Sequence, residues 1–186
     1  MTAHQAALEA LTRYFGYDSF RPGQQGIVEA LLAGRDVLGV MPTGAGKSVC
    51  YQIPAALSPG ATLVISPLIS LMRDQVDALN DLGLPAAFIN TTQTPDEQAM
   101  VFAQAAAGQI KLLYVAPERL ETGRFRDFAA RTPISLIAVD EAHCVSQWGQ
   151  DFRSSYLGIG DFIAGLPQRP PVGAFTATAT ERVRRD

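Results

Sequence analysis

A glycine-rich segment between two apolar runs most constrains what this chain can fold into. Residues 41–48 read MPTGAGKS; they follow the short apolar run 36–40 and precede residues 48–52, which can form a helix. A strand, a glycine loop and a helix in this order let backbone N–H groups surround a phosphate. The N–H groups at the start of a helix lack intrahelical partners and point at the anion. The segment therefore predicts a phosphate-binding loop in an α/β fold.

The residue types inside this loop suit phosphate and metal chemistry. Gly44 and Gly46 let the backbone turn tightly and approach an anion. Lys47 brings a cation to the β- and γ-phosphates, and the Ser48 hydroxyl is placed to ligate Mg²⁺. The strict loop pattern begins with glycine where this chain has Met41. A plain turn at a strand–helix junction is the alternative, and a second motif downstream decides against it.

That second motif is an acidic pair at the end of an apolar run. Residues 137–143 read IAVDEAH, so that Asp140 and Glu141 follow a predicted strand. Asp140 is placed to hold Mg²⁺ directly or through water, and Glu141 to deprotonate an attacking water. His143 adds a hydrogen-bond relay. Alone, such a pair is more often a solvated strand end, but together with residues 41–48 it predicts a nucleotide-hydrolysing centre.

Residues 15–24, upstream of the loop, form a turn-rich stretch with aromatic rings, an arginine and a glutamine. A ring can stack on adenine, and a glutamine amide can pair with the donor and acceptor edge of the base. The alternative is a packed loop that precedes the next helix, 24–33. The position just upstream of a phosphate loop favours the nucleobase seat.

Strand-like and helix-like segments alternate along the chain. The predicted strands are 37–40, 61–66, 86–89, 110–115, 134–139 and 172–175. The predicted helices are 3–14, 24–33, one from 48, 70–82, 94–107 and 118–130. This order predicts one α/β domain over residues 1–186, with a parallel sheet and helices on both of its faces. In such sheets, ligands bind beyond the carboxyl ends of the strands, where the motif residues lie.

Composition narrows the class of protein. The chain has 186 residues, of which 47% are hydrophobic and 18% charged, as expected for one globular domain. No apolar run is long enough to span a membrane and the first residues lack a signal pattern, so a cytoplasmic protein without membrane contact is expected. Cys50 and Cys144 suit reduced thiols, and two cysteines cannot build a four-ligand zinc site without histidine ligands. The net charge of −3 argues against a free-standing nucleic-acid binder but leaves local contacts in a groove open.

Six segments resemble, in order, the first-half motifs of RecQ-type DNA helicases, which are superfamily 2 motors. They are FRPGQ at 20–24, MPTGAGKS at 41–48, SPLISLMRDQ at 66–75, YVAPERL at 114–120, DEAHCVSQWGQDFR at 140–153 and FTATAT at 175–180. The resemblance implies a RecA-like P-loop NTPase domain, with ATP and Mg²⁺ as cofactors and single-stranded and duplex DNA as partners. It further implies movement from three-prime to five-prime in recombination and repair. A second RecA-like domain is expected in the intact enzyme, which we expect to be a monomer, nucleoid-associated if bacterial.

The same resemblance assigns roles to individual residues. Those assigned to adenine are Tyr17, Arg21 and Gln24. Those assigned to phosphates are Thr43, Gly44, Ala45, Gly46, Lys47 and Ser48. Those assigned to the metal are Ser48 and Asp140. The expected catalytic residues are Lys47, Asp140, Glu141 and His143. Those expected to couple the nucleotide state to DNA are His143, Thr176 and Thr178. Those expected to face DNA are Ser66, Pro67, Leu68, Gln147, Trp148, Phe152 and Arg153.

Trp148 carries the most specific part of the resemblance. The alternative is a buried Trp148 with a purely structural role, but its polar neighbours favour an exposed ring that stacks on an unpaired base. Such stacking contributes about 1–3 kcal/mol per base to binding. Arg153 could serve DNA or reach the γ-phosphate. The family usually has histidine at Gln150 and a proline followed by an acidic residue at 154–155, where this chain has two serines. Glutamine cannot carry a charge as histidine does.

Two other functions stay open at this point. One is an RNA helicase of the DEAD/DEAH type, against which the tryptophan-containing loop argues. The other is a truncated, non-catalytic module that binds DNA or a partner. Because the arginines of a second motor domain are not in this chain, we expect weak nucleotide binding, little ATPase activity and no unwinding from it alone.

Overall fold

The computed structural model describes residues 1–148 and 151–186. Over these residues the chain forms a six-stranded, fully parallel sheet with the strand order β1-β6-β5-β2-β4-β3. The strands are β1 (Val37–Val40), β2 (Ala61–Ile65), β3 (Ala86–Ile89), β4 (Leu112–Val115), β5 (Ile134–Val139) and β6 (Val172–Thr176). The predicted parallel sheet is confirmed, with strand bounds that differ from the predicted ones by at most two residues.

Helices connect the strands. They are α1 (Ala3–Phe15), α2 (Gln24–Leu32), α3 (Lys47–Leu57), α4 (Ile69–Asp81), α5 (Pro95–Ala106), α6 (Gly123–Arg131), α7 (Gly158–Ala164) and α8 (Glu181–Arg185). Short 3₁₀ helices span Pro117–Glu121, Ala142–Val145 and Ser154–Leu157. Among the described residues, no helix combines the length and the apolar character that crossing a membrane requires.

Both faces of the sheet are covered by helices. Side chains alternate along each strand, so that Leu63 and Ile65 of β2 join one core cluster and Val64 joins the other. The first cluster includes residues of α5, α6 and α7, and the second includes residues of α2, α3 and α4. Helix α1 packs further out, against α2 and α3. The predicted arrangement of helices on both faces is confirmed.

One predicted helix is wrong in its first turns, and several short elements were not predicted. The predicted helix 118–130 is a 3₁₀ helix followed by α6, because Thr122 has extended backbone angles and caps α6 by accepting from the Phe125 N–H at 3.4 Å. Helix α7 contains Gly158 and Gly160, which disfavour helix formation in isolation.

Hydrogen bonds continue beyond the strand ends and gather the motifs at one edge. The Met41 N–H donates to the Thr176 carbonyl at 2.9 Å, which joins the start of the phosphate loop to the end of β6. The Asp140 N–H donates to the Ile65 carbonyl, also at 2.9 Å, at the end of β2. The phosphate loop, the acidic pair and the threonine segment therefore lie at the carboxyl edge of the sheet, where parallel sheets bind ligands.

Candidate nucleotide-binding site

The phosphate loop adopts the backbone that its glycines predict. Gly44 and Gly46 have φ angles of +83° and +80°, in the left-handed region that favours glycine. Gly46, the residue before α3, provides no side-chain hydrogen bond to the amide groups of the first helical turn. These groups are free to donate to an anion, with the helix dipole adding to the attraction.

The first position of the loop holds Met41 instead of glycine, and its side chain has a structural role. Its side chain is buried and packs in the core beside α3, with its Sδ atom 3.7 Å from the Cys50 Sγ. Its carbonyl oxygen accepts a hydrogen bond from the Lys47 ammonium at 3.3 Å. Met41 therefore anchors the loop to the core, and Lys47 spans the loop from the start of α3.

The adenine-assigned residues contact the phosphate loop. Gln24 is buried; its side-chain Nε2 donates to the Gly46 carbonyl at 2.9 Å, and its Oε1 accepts from the Arg21 N–H at 2.8 Å. The Arg21 guanidinium donates to the Gly44 carbonyl at 2.9 Å and lies 5.8 Å over the Tyr17 ring. Tyr17 is about half exposed and open to stacking. The Gln24 amide, by contrast, already has protein partners, which it would have to exchange to read a base.

The acidic pair has an unusual backbone. Glu141 has φ +51° and ψ +46°, a left-handed conformation that costs an L-residue about 1–2 kcal/mol. The Asp140 Oδ1 accepts a hydrogen bond from the Glu141 N–H at 3.0 Å. A strained non-glycine residue held in this way is typical of functional sites.

Electrostatics at Asp140 favour a cation. Burial, and next the charge of Glu141, raise the pKa of the Asp140 carboxyl, whereas the charges of Lys47 and His143 oppose this rise. The phosphate loop and the acidic motif both contact Thr176, since its carbonyl accepts from the Met41 N–H and its hydroxyl lies beside His143. Two neighbouring carboxylates, one of them largely desolvated, suit a divalent metal ion. Its charge would offset both the cost of burying the Asp140 carboxylate and the repulsion between the two carboxylates.

Ser48 reaches the same region through α3. Burial keeps the pKa of the Tyr51 hydroxyl well above its usual range, and the neighbouring Tyr114 and Asp140 act in the same direction, while Ser48 opposes them. Ser48 lies in the first turn of α3, and its role as a metal ligand, like that of Asp140, stays a prediction. Thr43 is exposed on the loop, and Ala45 is half-buried beside it.

Thr176 joins the acidic motif to the phosphate loop. Its hydroxyl lies 2.8 Å from the His143 Nδ1, which is also 3.4 Å from the Glu141 Oε2. The same hydroxyl donates to the Thr178 carbonyl at 3.0 Å, and the Thr176 backbone carbonyl pairs with Met41. The structure thus brings together the residues predicted to couple the two motifs; that role stays a prediction.

The predicted DNA-facing residues fall into two groups. Ser66 is buried, and its hydroxyl accepts from the Leu68 N–H at 3.3 Å. The expectation that the Ser66 side chain faces DNA is therefore corrected: it shapes the loop that carries Pro67 and Leu68, both half-buried. The DNA-facing role of Pro67 and Leu68 stays a prediction.

The second group lies on residues 146–153, which we call the aromatic loop. The Arg153 N–H donates to the Cys144 carbonyl at 2.9 Å and closes the base of this loop. Gln147 is exposed, Trp148 is 58% exposed and Phe152 is 39% exposed, so the predicted exposure of the Trp148 ring is confirmed. The sequence-based remark on Gln150 concerns a position outside the described residues, as does Gly149.

Sequence patterns did not point to Tyr156. Its ring is fully buried, and its hydroxyl donates to the Asp140 backbone carbonyl at 2.8 Å. It thereby ties the segment that follows the aromatic loop to the acidic pair. An aromatic residue in a polar stretch was the available signal, but it does not reveal the partner.

Comparisons with known proteins identify the family and the relatives of this chain. A family model described as DEAD/DEAH box helicase matches residues 21–186. The ATP-dependent DNA helicase RecQ of Haemophilus influenzae is 50% identical over 180 residues, which cover 97% of this chain and 29% of that protein. The RecQ helicase of Bacillus subtilis is 47% identical over 181 residues, covering 97% of this chain and 31% of that protein. The chain thus spans about 30% of the length of these relatives.

Two solved structures share the fold. A hypothetical ATP-dependent RNA helicase from Sulfolobus tokodaii superposes with a TM-score of 0.71 at 21% identity, over 97% of this chain and 53% of that one. The Hef helicase domain of Pyrococcus furiosus gives a TM-score of 0.69 at 22% identity, over 88% of this chain and 34% of that one. At these identities the likeness shows the fold alone, which is that of RecA-like helicase domains. The family match over most of the chain shows that this protein belongs to the DEAD/DEAH box helicases, and its sequence is closely similar to RecQ helicases.

Proposed function

We propose that residues 1–186 form one ATP-binding motor domain of a RecQ-type DNA helicase. The observation that carries this proposal is that Lys47 and Asp140, which are far apart in sequence, follow β1 and β5 and so lie beyond the same carboxyl edge of the parallel sheet. The high identity to proteins named ATP-dependent DNA helicase RecQ supports DNA as the substrate. We further propose translocation from three-prime to five-prime along single-stranded DNA, in recombination and repair, by a protein that acts at the DNA in the cytoplasm.

The nucleotide site would work through groups that the structure brings together. The Tyr17 ring stacks on adenine, and the amide groups at the start of α3 bind the phosphates. Lys47 exchanges its bond with the Met41 carbonyl for a phosphate oxygen. Ser48 and Asp140 are the residues that would hold Mg²⁺, which when bound neutralises phosphate charge.

Glu141 is the proposed general base. Its carboxylate takes a proton from the water that attacks the γ-phosphate. His143, which lies between Glu141 and Thr176, holds this carboxylate in place and passes a change in its position to the threonine segment. The aromatic loop would receive that change and bind the strand by stacking Trp148 and Phe152 on bases.

A second RecA-like domain would complete the site. The relatives extend far beyond the matched region, and the arginine finger of a phosphoryl-transfer enzyme typically contributes about 10³–10⁵ in rate. We therefore propose that residues 1–186 alone bind nucleotide weakly, hydrolyse little ATP and do not unwind DNA. Enzyme-like, DNA-stimulated turnover by this chain alone would contradict this part of the proposal.

Replacement of Lys47 by alanine tests the nucleotide site. Bound Mg²⁺–ATP should stabilise the wild type by about 2.7 kcal/mol at a concentration 100 times its Kd, measured as a shift in thermal unfolding. Lys47→Ala should lose this shift, because the loop loses its cation. Arg35→Ala is the control, since it removes one exposed positive charge at the opposite end of β1. A shift that survives in Lys47→Ala would contradict the proposal.

Competition between nucleic acids tests the substrate. Labelled single-stranded DNA bound to the protein should be displaced by unlabelled DNA at lower concentrations than by RNA of the same sequence. Preferential displacement by RNA would favour an RNA helicase instead.

A further inference from the structure

One face of the Trp148 ring is covered by an arginine from the end of the chain. The guanidinium carbon of Arg182 lies 3.3 Å from the centroid of this ring. Cation–π attraction operates within about 6 Å, so the two groups are in direct, face-on contact. Trp148 nevertheless keeps 58% of its surface exposed.

Helix α8 positions this arginine. The Thr180 hydroxyl accepts a hydrogen bond from the Val183 N–H at 3.3 Å and starts the helix directly after the threonine segment. Arg184 donates to the Ala179 carbonyl at 3.2 Å, and Arg185 pairs with Glu181 of the same helix. Those two arginines thus bond within their own segment, whereas Arg182 reaches across to the aromatic loop.

A pocket adjoins the Trp148 ring near the end of α8. It has a volume of about 350 Å³ and is lined by Val145, Gln147, Trp148, Leu157 and Asp186. Because Arg182 is exposed, its side chain can leave the ring without disrupting a core.

We propose that Arg182 gates the Trp148 ring by occupying the face on which an unpaired base would stack. This inference rests on the proposed binding of single-stranded DNA by Trp148. A base and the guanidinium cannot contact the same face together, so a base that stacks on this face must displace Arg182. Since Arg182 follows closely after Thr176 and Thr178, the gate belongs to the segment that also contacts His143.

The contact itself can be tested without DNA. Trp148 is the single tryptophan of the sequence, so intrinsic tryptophan fluorescence reports on it alone. Arg182→Ala should raise the Stern–Volmer constant for quenching by acrylamide about two-fold, because one of the two ring faces is freed. Arg184→Ala, on the same helix, should leave the constant unchanged. An unchanged constant in Arg182→Ala would overturn the gate.

The gating role needs a comparison of DNA affinities. Arg182→Ala and Arg184→Ala lose the same charge from the same helix, so the long-range attraction to phosphates falls equally in both. Arg182→Ala should bind a labelled oligo(dT) about 2- to 5-fold more tightly than Arg184→Ala, which corresponds to the about 0.5–1 kcal/mol of an exposed cation–π pair. Weaker binding by Arg182→Ala would overturn the gate and make Arg182 a DNA contact.

The two measurements separate failure of the gate from failure of the proposed function. If acrylamide quenching rises in Arg182→Ala but the wild type does not bind oligo(dT), the proposed DNA binding is wrong and the gate falls with it. If the wild type binds oligo(dT) and the two variants bind it equally, the gate alone is wrong.

Discussion

Replacement of Gly46 by alanine should destabilise the nucleotide-free protein more than the same change at Gly44. The two glycines have nearly equal φ angles, +80° and +83°, so a Cβ atom meets similar backbone strain at both. Their surroundings differ. A Cβ at Gly46 would lie 2.4 Å from the Gln24 Nε2, whereas a Cβ at Gly44 meets nothing within 4 Å.

The expected magnitudes follow from these contacts. Left-handed strain costs an alanine about 1–2 kcal/mol, offset by about 0.4–1 kcal/mol because alanine is less flexible than glycine in the unfolded chain. Gly44→Ala should therefore lose about 1 kcal/mol of unfolding free energy. Gly46→Ala must also push the Gln24 amide off the Gly46 carbonyl, which it contacts at 2.9 Å. The loss of that hydrogen bond adds about 0.5–1.5 kcal/mol.

Urea unfolding, followed by circular dichroism, measures these free energies, and a double-mutant cycle isolates the clash. In a Gln24→Ala background the obstructing amide is absent, so Gly46→Ala should cost no more than Gly44→Ala. Equal stability of the two single variants would refute the reasoning. So would an excess cost at Gly46 that persists without the Gln24 side chain.

Two further predictions concern the acidic pair. Burial and Glu141 raise the pKa of the Asp140 carboxyl, so the folded protein binds the proton of this group more tightly than the unfolded chain does. The free energy of unfolding therefore falls as the pH rises from the unfolded pKa, about 3.9, through the folded pKa. Asp140→Asn should therefore be more stable than the wild type near neutral pH without nucleotide and no more stable in acid; equal urea midpoints at neutral pH would argue against this. Tyr156→Phe should cost about 1–3 kcal/mol in urea unfolding, since the Asp140 carbonyl loses its buried 2.8 Å partner; an unchanged midpoint would show that this bond does not stabilise the motif.

The elements that could be predicted from sequence are those whose signal is local. The glycines and the lysine of residues 41–48 specify a loop backbone through their own conformational limits. The apolar run that ends at Asp140 specifies a buried strand with its carboxylate at the sheet edge. Both depend on residues within a few positions of one another, and both were placed correctly.

Features that join distant segments could not be predicted in this way. The contact of the Gln24 amide with the Gly46 carbonyl, 22 residues away, has no local signal in the sequence, and the adenine role of Gln24 stays a prediction. Helix α7 shows no clear helical pattern because of its glycines, and the burial of Ile159 and Phe162 appears only once the sheet is in place. The contact of Arg182 with Trp148 is likewise invisible before the chain folds.

The bonds around Glu141 indicate which parts of the site would move. Its left-handed backbone is held by the Asp140 Oδ1, which accepts its N–H, and by the Cys144 N–H, which donates to its carbonyl at 2.9 Å. The Tyr156 hydroxyl holds the Asp140 carbonyl by a hydrogen bond. Strain persists only where surrounding bonds over-determine it, so the acidic motif is already organised without nucleotide. The contacts that nucleotide and DNA must replace are weaker single ones, such as that of Lys47 at 3.3 Å, and we therefore expect motion there rather than at the carboxylates.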